Sequence, residues 1–415
     1  MKRIYFQIFF AVTALLLLTA GGGLFWLHRA MYHINKADDQ KIPFQTAVAD
    51  AYFQREIDLG RRFIKKFMLE NQSPSFSLAL AWNGKLIWSE AFGYIDPEQK
   101  IAATPDVRYR INSVSKPITG AALAKLYEAG LLSLDSSIWH YLPEFPRKSD
   151  LFTIRQLATH TAGIRHYRSD QEVLNTRHFN SVEQSLSVFA GDSLLFRPGT
   201  QVKYSSFGYN LLGRVVEKIS GRDYLAFIRD EILIPAGAEG IGTENNDTSR
   251  VKYYERAGGL PLRVVPPIDQ SIKYPSGGLV GTPEDMAAFG VAYWHGKIVA
   301  PETVSLFTTM QKLGNTAEIG FGLGWELSGT PAVWKRRLIN AGAALGFYLP
   351  QATGFYESVF HRGGASGSIS GLVIYKKYDL VFAFTSNVNG ESSGPAWKLP
   401  TLMMEQFMKR VKNAH

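Results

Sequence analysis

The sequence predicts an α+β fold in which the chain leaves an antiparallel sheet, builds helices and returns to the same sheet. Two runs of alternating apolar residues over 75–94 flank Asn83-Gly84, the strongest short signal for a β-hairpin. Strand-like runs return over 356–388, whereas 135–320 reads mostly as helix and loop. Strands at both ends of a helical middle indicate one α+β domain with an inserted helical region, which we expect to span 57–410.

The composition fits a packed globular domain and excludes several chemistries. Of 415 residues, 46% are hydrophobic, which is enough for a large core. The net charge is +9, but Lys and Arg are scattered without a long basic run, so we expect a solvated basic surface and no nucleic-acid partner. The chain contains no cysteine, which excludes disulfides, thiolate metal sites and a cysteine nucleophile.

The N-terminus carries a segment long enough to cross a bilayer. Lys2 and Arg3 precede residues 4–27, a run of 24 residues without charge. Because this run is longer than the apolar part of a signal peptide, we expect 1–28 to be an uncleaved signal anchor, with a cleaved signal peptide as the alternative. The basic N-terminus would stay inside, so the main domain would lie on the outer, periplasmic or extracytoplasmic side of the membrane. The polar residues 29–56 are expected to form a linker.

The segment 109–120, YRINSVSKPITG, places Ser113 and Lys116 three positions apart at the expected start of a helix. At that spacing the two side chains lie on one helix face. The helix N-terminus stabilises an oxyanion and lowers a lysine pKa, and a neutral lysine can deprotonate a neighbouring serine to make it a nucleophile. The alternative is an ordinary helix in which Ser113 is a cap and Lys116 extends to solvent.

Two further stretches supply candidate groups. Tyr204 lies between a turn at 196–200 and an expected helix over 207–220, and a phenol beside a lysine can shuttle protons. In residues 360–371, FHRGGASGSISG, the glycines would let an extended substrate lie along a strand with His361 pointing into the cleft. Each has a structural alternative, namely a core or capping tyrosine and a satisfied strand histidine.

Together and in this order, these stretches resemble the serine beta-lactamase and penicillin-binding-protein superfamily, nearest the class C beta-lactamase and esterase group. The resemblance covers about 57–410 and rests on YRINSVSKPITG, LATHTAGI, FRPGTQVKYSSFGYNLLG, PSGGLVGTPEDMAAFG, GFGLGWEL and FHRGGASG. THTAGIRHY and KYSSFGY are also similar to the mitochondrial beta-lactamase-like serine proteases and their bacterial relatives. The resemblance implies a five-stranded antiparallel sheet flanked by helices plus a helical lobe, with the active site between them and neither a metal nor an organic cofactor.

The resemblance also implies a role for each candidate residue. Ser113 would form the acyl-enzyme, Lys116 would help to deprotonate it, and Tyr204 would be the proton shuttle. The backbone amides of Ser113 and of a residue near Gly364 would form the oxyanion hole. The substrate would be bound by Ser206, His361, Gly363 and Gly364.

Two motifs depart from the superfamily's usual pattern. The usual Tyr-x-Asn reads Tyr204-Ser205-Ser206, and the usual Lys- or His-Thr-Gly reads His361-Arg362-Gly363. Serine is shorter than asparagine and offers one hydroxyl in place of an amide. Arg362 either pairs with a substrate carboxylate or points outward, and we favour the outward orientation. Both departures argue against efficient beta-lactam hydrolysis.

The function expected from the sequence is that of a membrane-anchored serine hydrolase acting on a small peptide, a beta-lactam or an ester. The competing reading is a binding or filament-forming scaffold that has kept the fold and lost turnover, and homo-oligomer formation is left open. His160 is expected to brace the loop below the active site. The spacing of His160, His166 and His361 fits no metal-ligand pattern.

Overall fold

The computed structural model describes residues 42–244, 251–256, 261–314, 317–328, 357–365, 367–390 and 398–413. The strands in these ranges are β1 (Phe44–Ala49), β2 (Ser75–Trp82), β3 (Lys85–Asp96), β4 (Ile101–Ala102), β5 (Tyr109–Arg110), β6 (Tyr254–Arg256), β7 (Arg263–Val264), β8 (Val280–Gly281), β9 (Lys312–Leu313), β10 (Ala317–Glu318), β11 (Glu326–Ser328), β12 (Ser358–Ala365), β13 (Ser368–Tyr375), β14 (Leu380–Ser386) and β15 (Val388–Gly390). The α-helices are α1 (Gln54–Asn71), α2 (Ser115–Glu128), α3 (Ile138–Tyr141), α4 (Ile154–Ala158), α5 (Asp170–Val173), α6 (Val182–Leu186), α7 (Ser206–Ser220), α8 (Tyr224–Ile228), α9 (Ile234–Ala236), α10 (Tyr274–Gly277), α11 (Pro283–Trp294), α12 (Pro301–Phe307) and α13 (Lys398–Lys412).

An antiparallel sheet forms the centre of the molecule, as the sequence predicts. Its strands follow the order β1-β3-β2-β14-β13-β12-β11, and every neighbouring pair is antiparallel. The N-terminal hairpin β2–β3 therefore pairs directly with the C-terminal strand β14. The five long strands from β3 to β12 correspond to the five-stranded sheet that the resemblance implies, and β1 and β11 extend it at the two edges.

The first strand corrects the expectation of a linker over 29–56. Residues Phe44–Ala49 pair with β3, a short 3-10 helix follows at Ala51–Phe53, and α1 begins at Gln54. The side chains of β1 are mostly exposed, so this edge strand has no alternating hydrophobic pattern that would reveal it. Backbone pairing holds it in place, together with a hydrogen bond from the Thr46 hydroxyl to the Glu90 carboxylate.

Alternating side chains on the strands separate two apolar cores. On β2, Leu78 and Leu80 face one core, whereas Ala79 and Ala81 face the other. The first core lies under α1 and α13. The second lies under α11 and joins the helical region that follows α2. The sheet thus carries helices on both faces, which is the arrangement expected of an α+β domain with a buried sheet.

The predicted helix signals are present where the structure describes them. Helix α11 begins with a capping box, in which Thr282 and Asp285 exchange hydrogen bonds. Helix α7 ends at Gly221, whose φ of 66° suits glycine at a helix terminus. The signal anchor predicted at 1–28 lies outside the described residues. Within the part of the chain that the structure describes, no helix is both long and apolar enough to cross a membrane.

Candidate active site

Ser113 lies in a 3-10 turn, Asn112–Val114, that leads straight into α2. The turn begins with a left-handed backbone at Asn112, whose φ is 47°. Two side chains hold it in this conformation: the Asn112 amide donates to the Ser368 hydroxyl on β13 (2.9 Å), and Ser115 Oγ donates to the Asn112 carbonyl (2.8 Å). The partly exposed Ser113 side chain is thereby presented from a rigid turn between α2 and β13.

Lys116 is fully buried one turn along the same helix face. Its Nζ lies 3.2 Å from Ser113 Oγ, 3.3 Å from Ser206 Oγ and 2.5 Å from the carbonyl oxygen of Ser276. These three neighbours are two hydroxyls and a carbonyl, so each is uncharged. A neutral amine with two N–H groups and one lone pair matches them, since it can donate to Ser206 and Ser276 and accept from Ser113.

Burial lowers the pKa of Lys116 well below its usual value. Desolvation is the main cause, the Lys273 charge adds to it, and the more distant Glu326 carboxylate opposes it. The alternative in which Lys116 extends to solvent is therefore not the conformation seen here. A lysine with a lowered pKa, in contact with a serine hydroxyl, has the properties of a general base.

Tyr204 completes the group from the loop that precedes α7. Lys116 Nζ lies 4.8 Å from the centroid of its ring. Burial raises the pKa of Tyr204 well above its usual value, while a hydrogen-bonding contact with the Ser113 side chain opposes this shift. The two pKa shifts have opposite directions, so the phenol keeps its proton and the amine of Lys116 is the stronger candidate for the base.

Two neutral histidines hold the tyrosine loop. The backbone N–H of Ser205 donates to His160 Nδ1, and that of Ser206 donates to His166 Nδ1, both at 3.1 Å. The His160 ring also packs against the Tyr204 ring with a centroid distance of 4.4 Å. Burial lowers the pKa of His166 to about 4 and that of His160 well below its usual value, which keeps these nitrogens as acceptors. His160 thus contacts the loop that carries Tyr204, which agrees with the bracing role expected from the sequence.

Strand β12 lies beside the serine turn because Gly363 has no side chain. A Cβ at this position would lie 2.1 Å from Ser370 Oγ and 2.6 Å from the Ile111 carbonyl oxygen. At Gly364, by contrast, a Cβ would meet nothing within 4 Å. Gly363 therefore allows close packing against the turn, whereas Gly364 borders open space where a substrate backbone can lie.

His361 is buried and does not present a charge to the cleft. Its Nδ1 donates to the Arg362 carbonyl oxygen at 2.9 Å. Burial lowers the pKa of His361 to about 4, although the Glu326 carboxylate opposes the shift. The centroid of the His361 ring lies 6.4 Å from that of the Tyr204 ring, so His361 lies next to the group formed by Ser113, Lys116 and Tyr204.

Arg362 points outward, in the orientation favoured from the sequence. Its side chain is 50% exposed and forms an ion pair with Glu326 of β11, with Nε 3.1 Å from Oε2. Glu326 is a site residue that the sequence analysis does not single out, although GFGLGWEL contains it. Nothing in the motif itself indicates a role for this carboxylate, because its partner Arg362 lies on another strand.

Lys273 is a second buried lysine that the sequence analysis misses. Burial and the Arg110 charge lower its pKa to about 8, while Glu244 opposes the shift. Its Nζ donates to the Val173 carbonyl oxygen at 3.4 Å and approaches the Tyr167 ring at 5.9 Å from the centroid. In the described ranges, no group of three or more His, Asp or Glu side chains is arranged to hold a metal ion.

A family model described as beta-lactamase matches residues 61–399, which is most of the chain. The chain belongs to the beta-lactamase family. This places it in the superfamily that the motifs predict, while the nearer assignment to the class C group stays a prediction. The fold of the family, an antiparallel sheet flanked by helices, is the one that the structure describes.

Curated and structural relatives of this family member are only distantly similar. The serine beta-lactamase-like protein LACTB, mitochondrial, from Bos taurus is 30% identical over 321 residues, covering 59% of this chain and 58% of that protein. The chain therefore spans less than two thirds of that relative's length. The octameric penicillin-binding protein homologue from Pyrococcus abyssi has a TM-score of 0.68 at 22% identity, covering 85% of this chain and 77% of that one. D-amino acid amidase from Ochrobactrum anthropi has a TM-score of 0.68 at 19% identity, covering 87% and 99% respectively.

Proposed function

We propose that this beta-lactamase family member is a serine hydrolase that cleaves amide, peptide or ester bonds through an acyl-enzyme on Ser113. The observation that carries the proposal is the 3.2 Å contact between Ser113 Oγ and the buried amine of Lys116. Burying a lysine among neutral oxygens is costly for folding and useful for deprotonating a hydroxyl. A scaffold without turnover has no need of this arrangement.

In the acylation step, Ser113 Oγ attacks the substrate carbonyl carbon while Lys116 Nζ accepts the hydroxyl proton. The carbonyl oxygen becomes an oxyanion, which the backbone N–H groups of Ser113 and Gly364 would bind. The bond from the carbonyl carbon to the leaving group then breaks. The neutral Tyr204 phenol donates its proton to the leaving nitrogen or oxygen, and the ammonium of Lys116 returns a proton to Tyr204.

In the deacylation step, a water molecule takes the place of the leaving group. Tyr204 and Lys116 together accept a proton from this water as its oxygen attacks the acyl carbon. The ester bond to Ser113 Oγ breaks, and the proton returns to that oxygen, which restores the free enzyme. Each group thus acts in reverse in the second step, and the cycle consumes one water and no other co-reactant.

The charges around the site favour substrates whose reacting end is neutral. The arginine of the third motif is held outward by Glu326, and His361 beside it is uncharged at neutral pH because its pKa is about 4. Neither side chain is therefore arranged to pair with a carboxylate next to the scissile bond. Within the class of amides, peptides and esters, this supports neutral esters and amides over beta-lactams and carboxylate-terminated peptides.

Covalent labelling of the full-length protein tests the proposal. The protein would be incubated with a fluorophosphonate and, separately, with a fluorescent penicillin, and the adduct located by mass spectrometry. We expect fluorophosphonate at Ser113, weak or absent penicillin labelling, and no adduct in Ser113→Ala. Strong penicillin labelling would contradict the preference for neutral substrates. If neither reagent labels the folded wild-type protein, the hydrolase proposal is refuted and the scaffold hypothesis is preferred.

We also propose that residues 1–28 anchor the protein in a membrane with the catalytic domain on the outer side. The support is the charge-free run 4–27, which is long enough to cross a bilayer, and the basic residues Lys2 and Arg3 before it. Protease protection in sealed vesicles tests the orientation, and light scattering of detergent-solubilised protein tests homo-oligomer formation.

A further inference from the structure

A cavity of about 480 Å³ lies beside the strand that leads to the nucleophile. Its walls include Arg110 of β5, three residues before Ser113, together with Glu244, Tyr253 and Gln270. The catalytic scheme above uses none of these side chains. The rest of the wall combines apolar residues such as Val265 with His178, Lys252 and Asp269, and a cavity of this size accommodates a small organic ligand.

One guanidinium nitrogen of Arg110 is not hydrogen-bonded by any residue that the structure describes. The residue is 95% buried, and its Nε and Nη2 donate to the Glu244 carboxylate at 3.2 Å. The guanidinium stacks on the Tyr253 ring, with Cζ 4.0 Å from the centroid. Nη1, however, is buried and has no hydrogen-bond partner among the described residues. A cationic N–H group left unpaired in the interior is unfavourable, so Nη1 is a position that a water molecule or a ligand can satisfy.

Gln270 provides a second, independent observation. It is also 95% buried, and its backbone is fixed because its carbonyl accepts from the Lys273 N–H at 3.0 Å. Within the described ranges, its side-chain amide has no hydrogen-bond partner on either Oε1 or Nε2. An unpaired primary amide offers one acceptor and two donors in one plane, which is the complement of another amide group.

From these two side chains we propose that the cavity binds an N-acylated amino acid. Its carboxylate would accept from Arg110 Nη1, and its amide would pair with the Gln270 amide, while its apolar side chain would contact the wall around Val265. A small shift of side chains is needed, because the unpaired atoms are covered in the unliganded arrangement. Because the ion pair of Arg110 and Glu244 has no net charge, the ligand carboxylate would be held by the hydrogen bond from Nη1 and not by a net positive charge.

Binding to the full-length Ser113→Ala protein tests this site without requiring catalysis. The ligand would be N-acetyl-L-leucine, titrated by isothermal calorimetry, with N-acetyl-L-leucinamide and L-leucine as comparators that lack the carboxylate and the acyl amide respectively. We expect saturable binding of N-acetyl-L-leucine at one site and at least about tenfold weaker binding of both comparators, since each leaves one pair of groups unsatisfied. Absence of saturable binding of N-acetyl-L-leucine would overturn the proposal.

The variant Gln270→Met separates this site from the catalytic cleft. Methionine keeps the approximate length of glutamine and removes the unpaired amide, so we expect at least about tenfold weaker binding without a lower midpoint of thermal unfolding. Gln99→Met, at an exposed turn, is the matched control and should change neither quantity. Unchanged affinity in Gln270→Met would place the ligand elsewhere, and a lower midpoint would show that the amide has a partner in the unliganded protein. Either result would overturn the proposal.

Wild-type protein with fluorophosphonate on Ser113 gives a second check, because its cleft is blocked. We expect it to bind N-acetyl-L-leucine as tightly as Ser113→Ala does, and loss of binding would overturn the separate site. If the wild type accepts no fluorophosphonate, the hydrolase proposal fails, but the Ser113→Ala titration still decides whether this cavity binds the ligand.

Discussion

Lys116 beside the nucleophile and Glu90 under α1 are both completely buried, but their surroundings differ. Glu90 accepts from Arg61 Nε (3.1 Å), Arg61 Nη2 (2.8 Å) and Trp88 Nε1 (3.1 Å), and also from the Thr46 hydroxyl. Its negative charge thus meets a positive one. The hydrogen-bonding partners of Lys116 among the described residues are two hydroxyls and a carbonyl, none of which is charged.

The difference lies in what the surroundings do to the charged form. A buried carboxylate with an arginine and further donors is stabilised as an ion, so it contributes to structure. A buried amine without a carboxylate in contact loses the stability of its charged form and becomes a base. Burial alone therefore does not identify a catalytic group. The combination of burial, neutral partners and contact with the Ser113 hydroxyl does, and it applies to Lys116 and not to Glu90.

The largest expected effect that tests this comparison comes from Lys116→Met. We expect the rate of fluorophosphonate labelling to fall at least about 1,000-fold, because the base is removed from a set of groups that act as a unit. The free energy of unfolding should stay within about 1 kcal/mol of the wild type, since the loss of hydrogen bonds is offset by the loss of a desolvated amine. Labelling kinetics and urea unfolding measure the two quantities.

Glu90→Gln is the matched control and should show the opposite pattern. Removing the buried partner of Arg61 should lower the free energy of unfolding by about 2 kcal/mol, less than for a fully buried pair because the Arg61 side chain is 20% exposed and also pairs with Asp58. The labelling rate of the folded protein should stay within about threefold of the wild type, since Glu90 packs on the other side of the sheet. If stability and labelling rate fell together in both Lys116→Met and Glu90→Gln, the distinction between the two buried side chains would not hold.

Gly363 and Gly364 extend the comparison to adjacent residues of one strand. Gly363→Ala should lower the free energy of unfolding by about 3 kcal/mol and reduce labelling, because its Cβ would overlap the Ile111 carbonyl. Gly364→Ala should leave the free energy of unfolding within about 1 kcal/mol, since its Cβ would enter open space. Thermal unfolding of both variants distinguishes the positions, and equal destabilisation would contradict the packing described here.

The sequence is sufficient to predict those features that depend on residues close together in the chain. Asn83-Gly84 identifies the hairpin, the helix expected over 207–220 is present as α7, and the spacing of Ser113 and Lys116 brings their side chains together. Each depends on residues within one turn of each other. The departure at Arg362 was also interpretable, because strand alternation indicates which side chains leave the cleft.

The features that the sequence did not reveal depend on partners distant in the chain. Strand β1 has exposed side chains and is defined only by its pairing with β3. Glu326 acquires its role from Arg362, 36 residues later. Lys273 is distinguished by burial beside Arg110 and Tyr167, which no spacing in its own segment indicates. Tertiary contacts, and not propensities, determine these three positions.

The pH dependence of stability tests whether His361 is buried in its neutral form. Its pKa is about 4 in the folded protein and near 6.5 in the unfolded chain, so only the unfolded chain gains a proton between these values. Stability is therefore unaffected above pH 6.5 and is lost as the pH falls towards 4. We expect the difference in free energy of unfolding between wild type and His361→Gln to change by about 2 kcal/mol between pH 7 and pH 5. A constant difference across this range would mean that His361 is not desolvated.

The smallest expected effect separates Ser205 from Ser206, neighbours in the altered second motif. Ser205 Oγ accepts from the Gly208 N–H at 3.0 Å and donates to the Arg165 carbonyl at 2.7 Å, so it caps α7 and faces away from Lys116. Ser205→Ala should lower the free energy of unfolding by about 1 kcal/mol and change the labelling rate less than about threefold. Ser206→Ala removes a partner of Lys116 and should change labelling by about tenfold with little effect on unfolding. If Ser205→Ala slowed labelling more than Ser206→Ala, the loop would position Tyr204 through the cap, and the direct contact with Lys116 would be of minor importance.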